Sequence, residues 1–424
     1  MPGRSPTVVG VWLVSLALLV AGVAAYGDTW IPQVVGSVAM AKDGGLSLAV
    51  GSSGNVGLVY QGRTLTGAGQ DLHYLSGDWT GTWNSVETLE SGAGTGAAGS
   101  LTYAGDVPYL SYRRQQGLND YALAYANESG GAWTTGLAYD AAGMNPRHTV
   151  ARLDANGLLT IAYVDETTNP LNYASLNYAA DNGTTWWQEQ IDPRVRLIGG
   201  VGLGLPGANT AGQVAYANEF GTQRPPSFTE RSGGAWTAPT VLNAGDRAAY
   251  MSMALDGQQR PVLAWMDTST SMVRMAAWNG SAWVVRDVVS LAPNTAWSDY
   301  DYLDLAVDDF GFAHFLYYDP AAVEGGVTGA VRYINMDLAT GATSLLLTLS
   351  TGTYYWMNLT IGPEERPLFA FYRDSDQSVY YGVGDPAPIP EPTTLALLLV
   401  GLGGLAWRRR RRPGAGVTKT ERCR

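Results

Sequence analysis

Gly130-Gly-Ala-Trp-Thr134 returns as Gly233-Gly-Ala-Trp-Thr237, and a third copy reads Gly280-Ser-Ala-Trp283. Around these copies a tryptophan recurs at Trp30, Trp83, Trp133, Trp186, Trp236 and Trp283, at intervals of 53, 50, 53, 50 and 47 residues. A repeat of that period is a unit that buries its apolar face only by stacking on its neighbours. Between the tryptophans, turn-rich sites lead into β runs. Asp154-Ala-Asn-Gly-Leu-Leu-Thr-Ile-Ala-Tyr163 and Asp256-Gly-Gln-Gln-Arg-Pro-Val-Leu-Ala-Trp265 are two of them. Asp308-Asp-Phe-Gly-Phe-Ala-His-Phe-Leu-Tyr317 and Pro363-Glu-Glu-Arg-Pro-Leu-Phe-Ala-Phe-Tyr372 continue the series. A helical repeat would need a 3.6-residue apolar stripe free of Gly and Pro, and none is present.

Four short strands per repeat, joined by Gly, Asn and Asp turns, describe one blade of a β-propeller. Turn landmarks near residues 44, 105, 157, 207, 257, 310 and 363 predict seven blades. The last repeat ends near Tyr380-Tyr381-Gly382 without a Trp-led fourth strand, whereas Asp28 to Val35 reads as an orphan fourth strand. Pairing the two closes the ring and leaves no open edge. The expected fold is all-β, a seven-bladed propeller over 26–385 closed by an N-terminal strand.

Composition agrees. The 424 residues contain 14 Trp, 24 Tyr and 53 Gly, and only 15% are charged. The 26 Lys+Arg against 37 Asp+Glu exclude nucleic acid as a partner, since its binders need clustered cations to release counterions. The single Cys423 permits no intrachain disulfide.

The ends carry address signals. Arg4, the apolar run Val8 to Val20 and the small residues Val23-Ala24-Ala25 make a secretory signal peptide over 1–25, cut by signal peptidase after Ala25. At the other end Pro390-Glu391-Pro392 precedes an apolar segment, 393–407, and five arginines, Arg408, Arg409, Arg410, Arg411 and Arg412. Those 15 apolar residues make about 22 Å of helix, a short membrane span whose arginines stay on the cytoplasmic side. A basic tail, 413–424, follows. Without the two ends the exported part, 26–390, carries a net charge of −18.

The 386–412 segment closely resembles the PEP-CTERM sorting signal of exopolysaccharide-producing bacteria. That resemblance implies an inner-membrane-anchored precursor, recognition and cleavage by exosortase, and delivery to the cell surface or extracellular matrix. Asp181-Asn-Gly-Thr-Thr-Trp186 matches the core of the Asp-box of sialidase-like propellers, with Ala179 where that motif has Ser. The Asp-box implies a fold and a turn between third and fourth strands, not a chemistry.

Other motifs carry less. Gly94 to Gly99 and Gly202 to Gly207 fit Gly-x-Gly-x-x-Gly but lack the strand-to-helix context of a nucleotide loop. His73, His148 and His314 fall in different repeats without metal-ligand spacing. A sialidase-type hydrolase would need several arginines on the substrate carboxylate, a Tyr nucleophile with a Glu partner and an acid/base carboxylate. The sixteen exported arginines show no Tyr/Phe-Arg-Ile-Pro context, so no catalytic residue is assigned.

The candidate ligand site is an aligned position at the end of the second strand. Asp165, Asp267, Asp319 and Asp374 occupy it in four repeats and Asn218 in a fifth. Carboxylates there would bind Ca²⁺ or sugar hydroxyls, or would serve only as turn caps. Trp297, Tyr300 and Tyr302, then Tyr354, Tyr355 and Trp356, lead into the last two blades on the same face. They read as sugar-stacking rings or as wedges between blades. The expected function is an exported cell-envelope or matrix propeller that binds polysaccharide, such as exopolysaccharide, or a protein partner. The alternatives are a sialidase-like glycoside hydrolase or lyase and a structural matrix protein without a small ligand.

Overall fold

The computed structural model describes residues 30, 32–37, 44–63, 70–92, 94–118, 120–166, 174–195, 200–206, 212–218, 224–293 and 302–386. The expected signal peptide, the apolar segment 393–407, and Pro390, Glu391, Pro392 and the arginine cluster lie outside these residues. Among the described residues no helix is long and apolar enough to cross a membrane.

The strands form seven antiparallel sheets whose members follow chain order. They are the seven blades, spanning 46–92, 97–139, 146–195, 201–241, 248–290, 303–351 and 354–383. The seventh takes its outermost strand from the other end of the chain. Gln33–Ser37 pairs antiparallel with Ser378–Val383, Gln33 opposite Tyr381 and Ser37 opposite Ser378. Blade four splits its outer strand into Ala235–Trp236 and Thr240–Val241. Pro239 sits between them, and a proline has no N–H to give a ladder. The first turn landmark is corrected: residue 44 precedes the inner strand Leu46–Val50, and the turn itself is Gly51 to Gly54.

The recurring tryptophans are wedges between blades. Each packs on a third-strand aromatic of the preceding blade: Trp83 on Tyr381, Trp133 on Tyr74, Trp186 on Tyr125, Trp236 on Tyr178, Trp283 on Phe228 and Trp30 on Tyr333. Their ring centroids lie 4.5–5.2 Å apart. Tilted and edge-to-face geometry adds to the area each pair buries. A second register position, one step along the second strand, is aromatic in all seven blades: Tyr60, Tyr112, Tyr163, Tyr216, Trp265, Tyr317 and Phe371, every one buried.

The turns between first and second strands are built by Asp side chains. Asp154 Oδ1 accepts from Asn156 N and Leu158 N, and Asp256 Oδ1 from Gln258 N and Arg260 N. Asp181 of the Asp-box accepts from Gly183 N at 2.8 Å in the turn between third and fourth strands. His314 is a core residue, with Nδ1 against Tyr333 Oη at 2.5 Å and Nε2 against Asp308 Oδ2 at 3.0 Å. Gly94 to Gly96 form a turn and Gly202 and Gly204 sit in an inner strand, so neither glycine motif opens a helix.

Candidate functional site

The seven inner strands line a central channel of about 390 Å³. Inner strands have one free edge, and their axis-facing N–H groups need acceptors. The preceding blade supplies them from one register position. Ser47 Oγ accepts from Leu101 N, Ser100 Oγ from Ala151 N, and Ser252 Oγ from Leu305 N. Asp304 Oδ2 accepts from Leu359 N, and Asn358 Oδ1 from Leu48 N, closing the circle between blades seven and one. Val150 and Gly202 hold the remaining two places. Val150 has no acceptor to offer. At Gly202 blade five approaches so closely that a Cβ would lie 2.4 Å from that of Met253. Two residues ahead of this belt, Ala98, His148, Gly200, Tyr250 and Trp356 adopt left-handed backbone with φ of 48–62°. Four of these five positions coincide with β-bulges. A bulky residue there is strained, and its recurrence shows that the turn into the channel dictates it.

Arg152 and Asp304 bring opposite charges to the channel wall. Asp304 accepts four hydrogen bonds, from Ser252 Oγ, Leu305 N, Asn358 Nδ2 and Leu359 N, at 2.7–2.9 Å. Burial still outweighs them and raises its pKa from 3.8 to about 6. Burial also lowers the pKa of Arg152, opposed by Asp304. A carboxyl whose folded pKa is raised releases its proton later than in the unfolded chain, so its contribution to stability falls as pH rises from about 4 to about 6. The carboxyl carbon of Asp304 is therefore expected to titrate near pH 6 by carbon NMR. The corresponding pH-dependent part of the melting curve should vanish in Asp304→Asn.

On the face where second strands end, the aligned position is not a carboxylate ring. By strand register it reads Gly62, Arg114, Asp165, Asn218, Asp267, Asp319 and Arg373. Asp374, assigned to this ring from sequence, is displaced by one residue into the exposed turn beyond it, because Arg373 is the residue paired with Ser378. Asp267 is fully buried and accepts from Arg247 N, Ser269 N, Ser269 Oγ and Arg274. Burial raises its pKa, but these donors prevail and hold it below the ordinary Asp value. Asp319 is buried with Arg332 at 3.3 Å. Asp165 caps Asn145 N at 2.8 Å, and Asn218 donates to Asp192 Oδ2 at 3.1 Å. Among the described residues no three His, Cys, Asp or Glu gather as a metal would need. Of the carboxylates expected to share one ligand, Asp165, Asp267 and Asp319 are each engaged by a neighbouring donor, and Asp374 lies in the exposed turn outside the ring.

Trp356 is likewise corrected. It is buried at the left-handed bulge of the seventh inner strand and offers no face to a sugar. Tyr302 and Tyr354 are buried as well, Tyr302 between Tyr250 and Tyr318 at 5.1 and 4.9 Å. These rings are wedges. Trp297 and Tyr300 lie outside the described residues.

What this face does present is arginine. Arg114 pairs with Glu90 at 2.7 Å, Arg147 with Glu166 at 2.7 Å, and Arg332 with Asp319 and with Glu324 at 2.6 Å. Arg373 pairs with Asp376, and Arg274 with Asp246, Asp267 and Asp287. Each guanidinium is partly exposed. Sequence reasoning missed them because an arginine position shared by only some blades gives no periodic signal. Tyr112 Oη donates to Glu90 at 2.5 Å beside Arg114, which assembles Tyr, Glu and Arg. Burial and Glu90 push the Tyr112 pKa well above the ordinary tyrosine range, the opposite of what a nucleophile needs.

The chain leaves the propeller on the other face. Gly384 N donates to Pro367 O and Arg366 pairs with Asp385 at 3.3 Å, beside the turn between first and second strands of blade seven.

Residues 388–412 match the PEP-CTERM protein-sorting motif. Solved structures with similar folds include a polysaccharide lyase, described as an ulvan lyase of family PL25, at 14% identity and TM-score 0.52 over 85% of this chain and 96% of that one. The same kind of lyase bound to -[GlcA(1-4)Rha3S]- aligns at 14% identity and TM-score 0.52, over 84% and 96% of the two chains. A Hadza microbial sialidase aligns at 12% identity and TM-score 0.42, over 80% and 65%. No curated protein matches the chain. The molecule is a seven-bladed β-propeller, similar in fold to a polysaccharide lyase. It carries a PEP-CTERM sorting motif, which indicates an exported, surface-sorted protein and implies exosortase-dependent processing.

Proposed function

We propose that the propeller is a cell-envelope or matrix binding module that takes polysaccharide, such as exopolysaccharide, on the face where its second strands end. The carrying observation is the set of arginine–carboxylate pairs on that face in blades two, three, five, six and seven, opposite the point of chain exit. Planar guanidinium groups held by carboxylates present fixed donors to hydroxyl, carboxylate or sulfate groups of a sugar chain. Neighbours named as polysaccharide lyases point toward carbohydrate too. The hydrolase reading would need an activated tyrosine, and Tyr112 beside Glu90 has its pKa raised instead; a protein partner is the second occupant this face fits.

The test is retention on purified exopolysaccharide. Arg147→Gln with Arg373→Gln is expected to weaken retention about tenfold, the loss of roughly 1.4 kcal/mol, while the melting temperature moves little because both side chains are partly exposed. Unchanged retention would sink the assignment of this face. Because Asp267 and Asp319 are committed to Arg274 and Arg332, a chelator is expected to leave retention unchanged. A loss on chelation would restore the Ca²⁺ reading.

A further inference from the structure

The wedge of tryptophan on third-strand aromatic is built at six of the seven blade interfaces and is missing from one. Register identifies what stands in its place. The third-strand aromatic position, held by Tyr74, Tyr125, Tyr178, Phe228, Tyr333 and Tyr381, is Met275 in blade five. The tryptophan position is Thr343 in blade six, paired with Met336 as Trp186 is with Asp181 and Trp283 with Trp278. Both halves of one aromatic pair have been replaced together, at the interface they would share.

A cleft of about 650 Å³ lies between blades five and six, on the face of the turns between first and second strands. That volume falls within the roughly 300–1,000 Å³ of small-molecule sites. Trp278 and Phe310 line it. Trp278 is half-buried and is braced edge-on by Trp283 at 5.6 Å, so its plane is fixed. Phe310, at the tip of an Asp-Asp-Phe-Gly turn, is 45% exposed, a large ring held toward solvent with no core to fill. The exposed side chains of Gln258 and Asp309 stand on the rim. The two arginines of the lining are occupied: Arg260 bonds Asp256 at 2.8 Å and Arg286 bonds Leu338 O at 3.0 Å. The cleft therefore offers two aromatic walls, an exposed carboxylate at Asp309 on its rim, and two guanidinium groups that are already hydrogen-bonded.

We propose that this cleft is a binding site for a neutral pyranose ring of a glycan, stacked on Trp278 with Phe310 as the second wall. A sugar ring is apolar on its C–H face and polar at its edge, which suits aromatic walls under a rim of Gln258 and Asp309. An anion finds no free guanidinium here, and a flat peptide surface would not use the depth. The site lies on the opposite face from the arginine pairs and stands without the reading of that face.

The full chain is titrated with cellohexaose, maltohexaose and mannohexaose, followed by saturation-transfer NMR and calorimetry. At least one should bind. Phe310→Ala is expected to weaken it about tenfold with an unchanged melting temperature, and Trp278→Ala to abolish it. Arg147→Gln with Arg373→Gln should bind it like the wild type, which separates this site from the opposite face. If none of the three sugars binds, or if Phe310→Ala binds as well as the wild type, the proposal is overturned.

Discussion

Deleting 28–37 is expected to lower the melting temperature more than any single substitution and to make the protein aggregate. The deletion removes Gln33–Ser37 from its pairing with Ser378–Val383, leaving an unpaired strand edge in blade seven. It also removes Trp30, whose ring lies 4.5 Å from Tyr333 and 6.0 Å from Phe369, the wedge between blades six and seven. Truncating that tryptophan alone should cost about 3–5 kcal/mol, and the strand deletion should exceed it. Thermal unfolding followed by circular dichroism checks both. A deletion variant that melts with the wild type would mean the ring does not close through its N-terminus.

The second large effect is expected at Arg274. Its guanidinium reaches Asp246, Asp267 and Asp287, and the first two carboxylates are almost wholly buried. Burial already raises the pKa of Asp246, with Asp267 adding to the effect, while the Trp265 indole N–H at 2.8 Å and Arg274 oppose it. Arg274→Ala strands two like charges in the interior, a change that typically costs about 3–5 kcal/mol. Without the cation both carboxyls should hold their protons to higher pH in the folded state. The deficit should therefore be full at neutral pH and shrink as pH falls. Adding Asp246→Asn to Arg274→Ala should recover part of the loss. A variant as stable as the wild type at pH 7 would show that solvent, not Arg274, neutralises the pair.

The fold was legible because its repeat is enforced at identical register positions. Trp83, Trp133, Trp186, Trp236 and Trp283 recur because each fills the same gap between blades, and a gap of fixed shape tolerates few side chains. The orphan segment near Val35 could be placed because an unclosed ring leaves an edge. The polar belt was equally periodic, as Leu46-Ser47-Leu48, Met251-Ser252-Met253, Leu303-Asp304-Leu305 and Met357-Asn358-Leu359 show. A single polar residue between apolar ones reads as ordinary strand alternation, and only the geometry shows it reaching the next blade.

The candidate site was less legible, for two physical reasons. Asp374 and Arg373 are neighbours, and one residue of turn length decides which of them points where Asp267 points. Burial at Trp356 depends on a left-handed bulge that a tryptophan rarely adopts, so the sequence could not choose between a stacking ring and a wedge there. Arginines such as Arg147 and Arg373 enter from different strands, so no spacing links them.

Hydrogen–deuterium exchange of the protein with and without its exopolysaccharide tests the central claim most directly. Slowed exchange is expected at the second-strand ends around Arg114, Arg373 and the Arg147–Glu166 pair, with the turns near Asp154 and Gly105 unaffected. Protection spread evenly over both faces, or none at all, would contradict a polysaccharide-binding face and leave the propeller as a structural matrix protein.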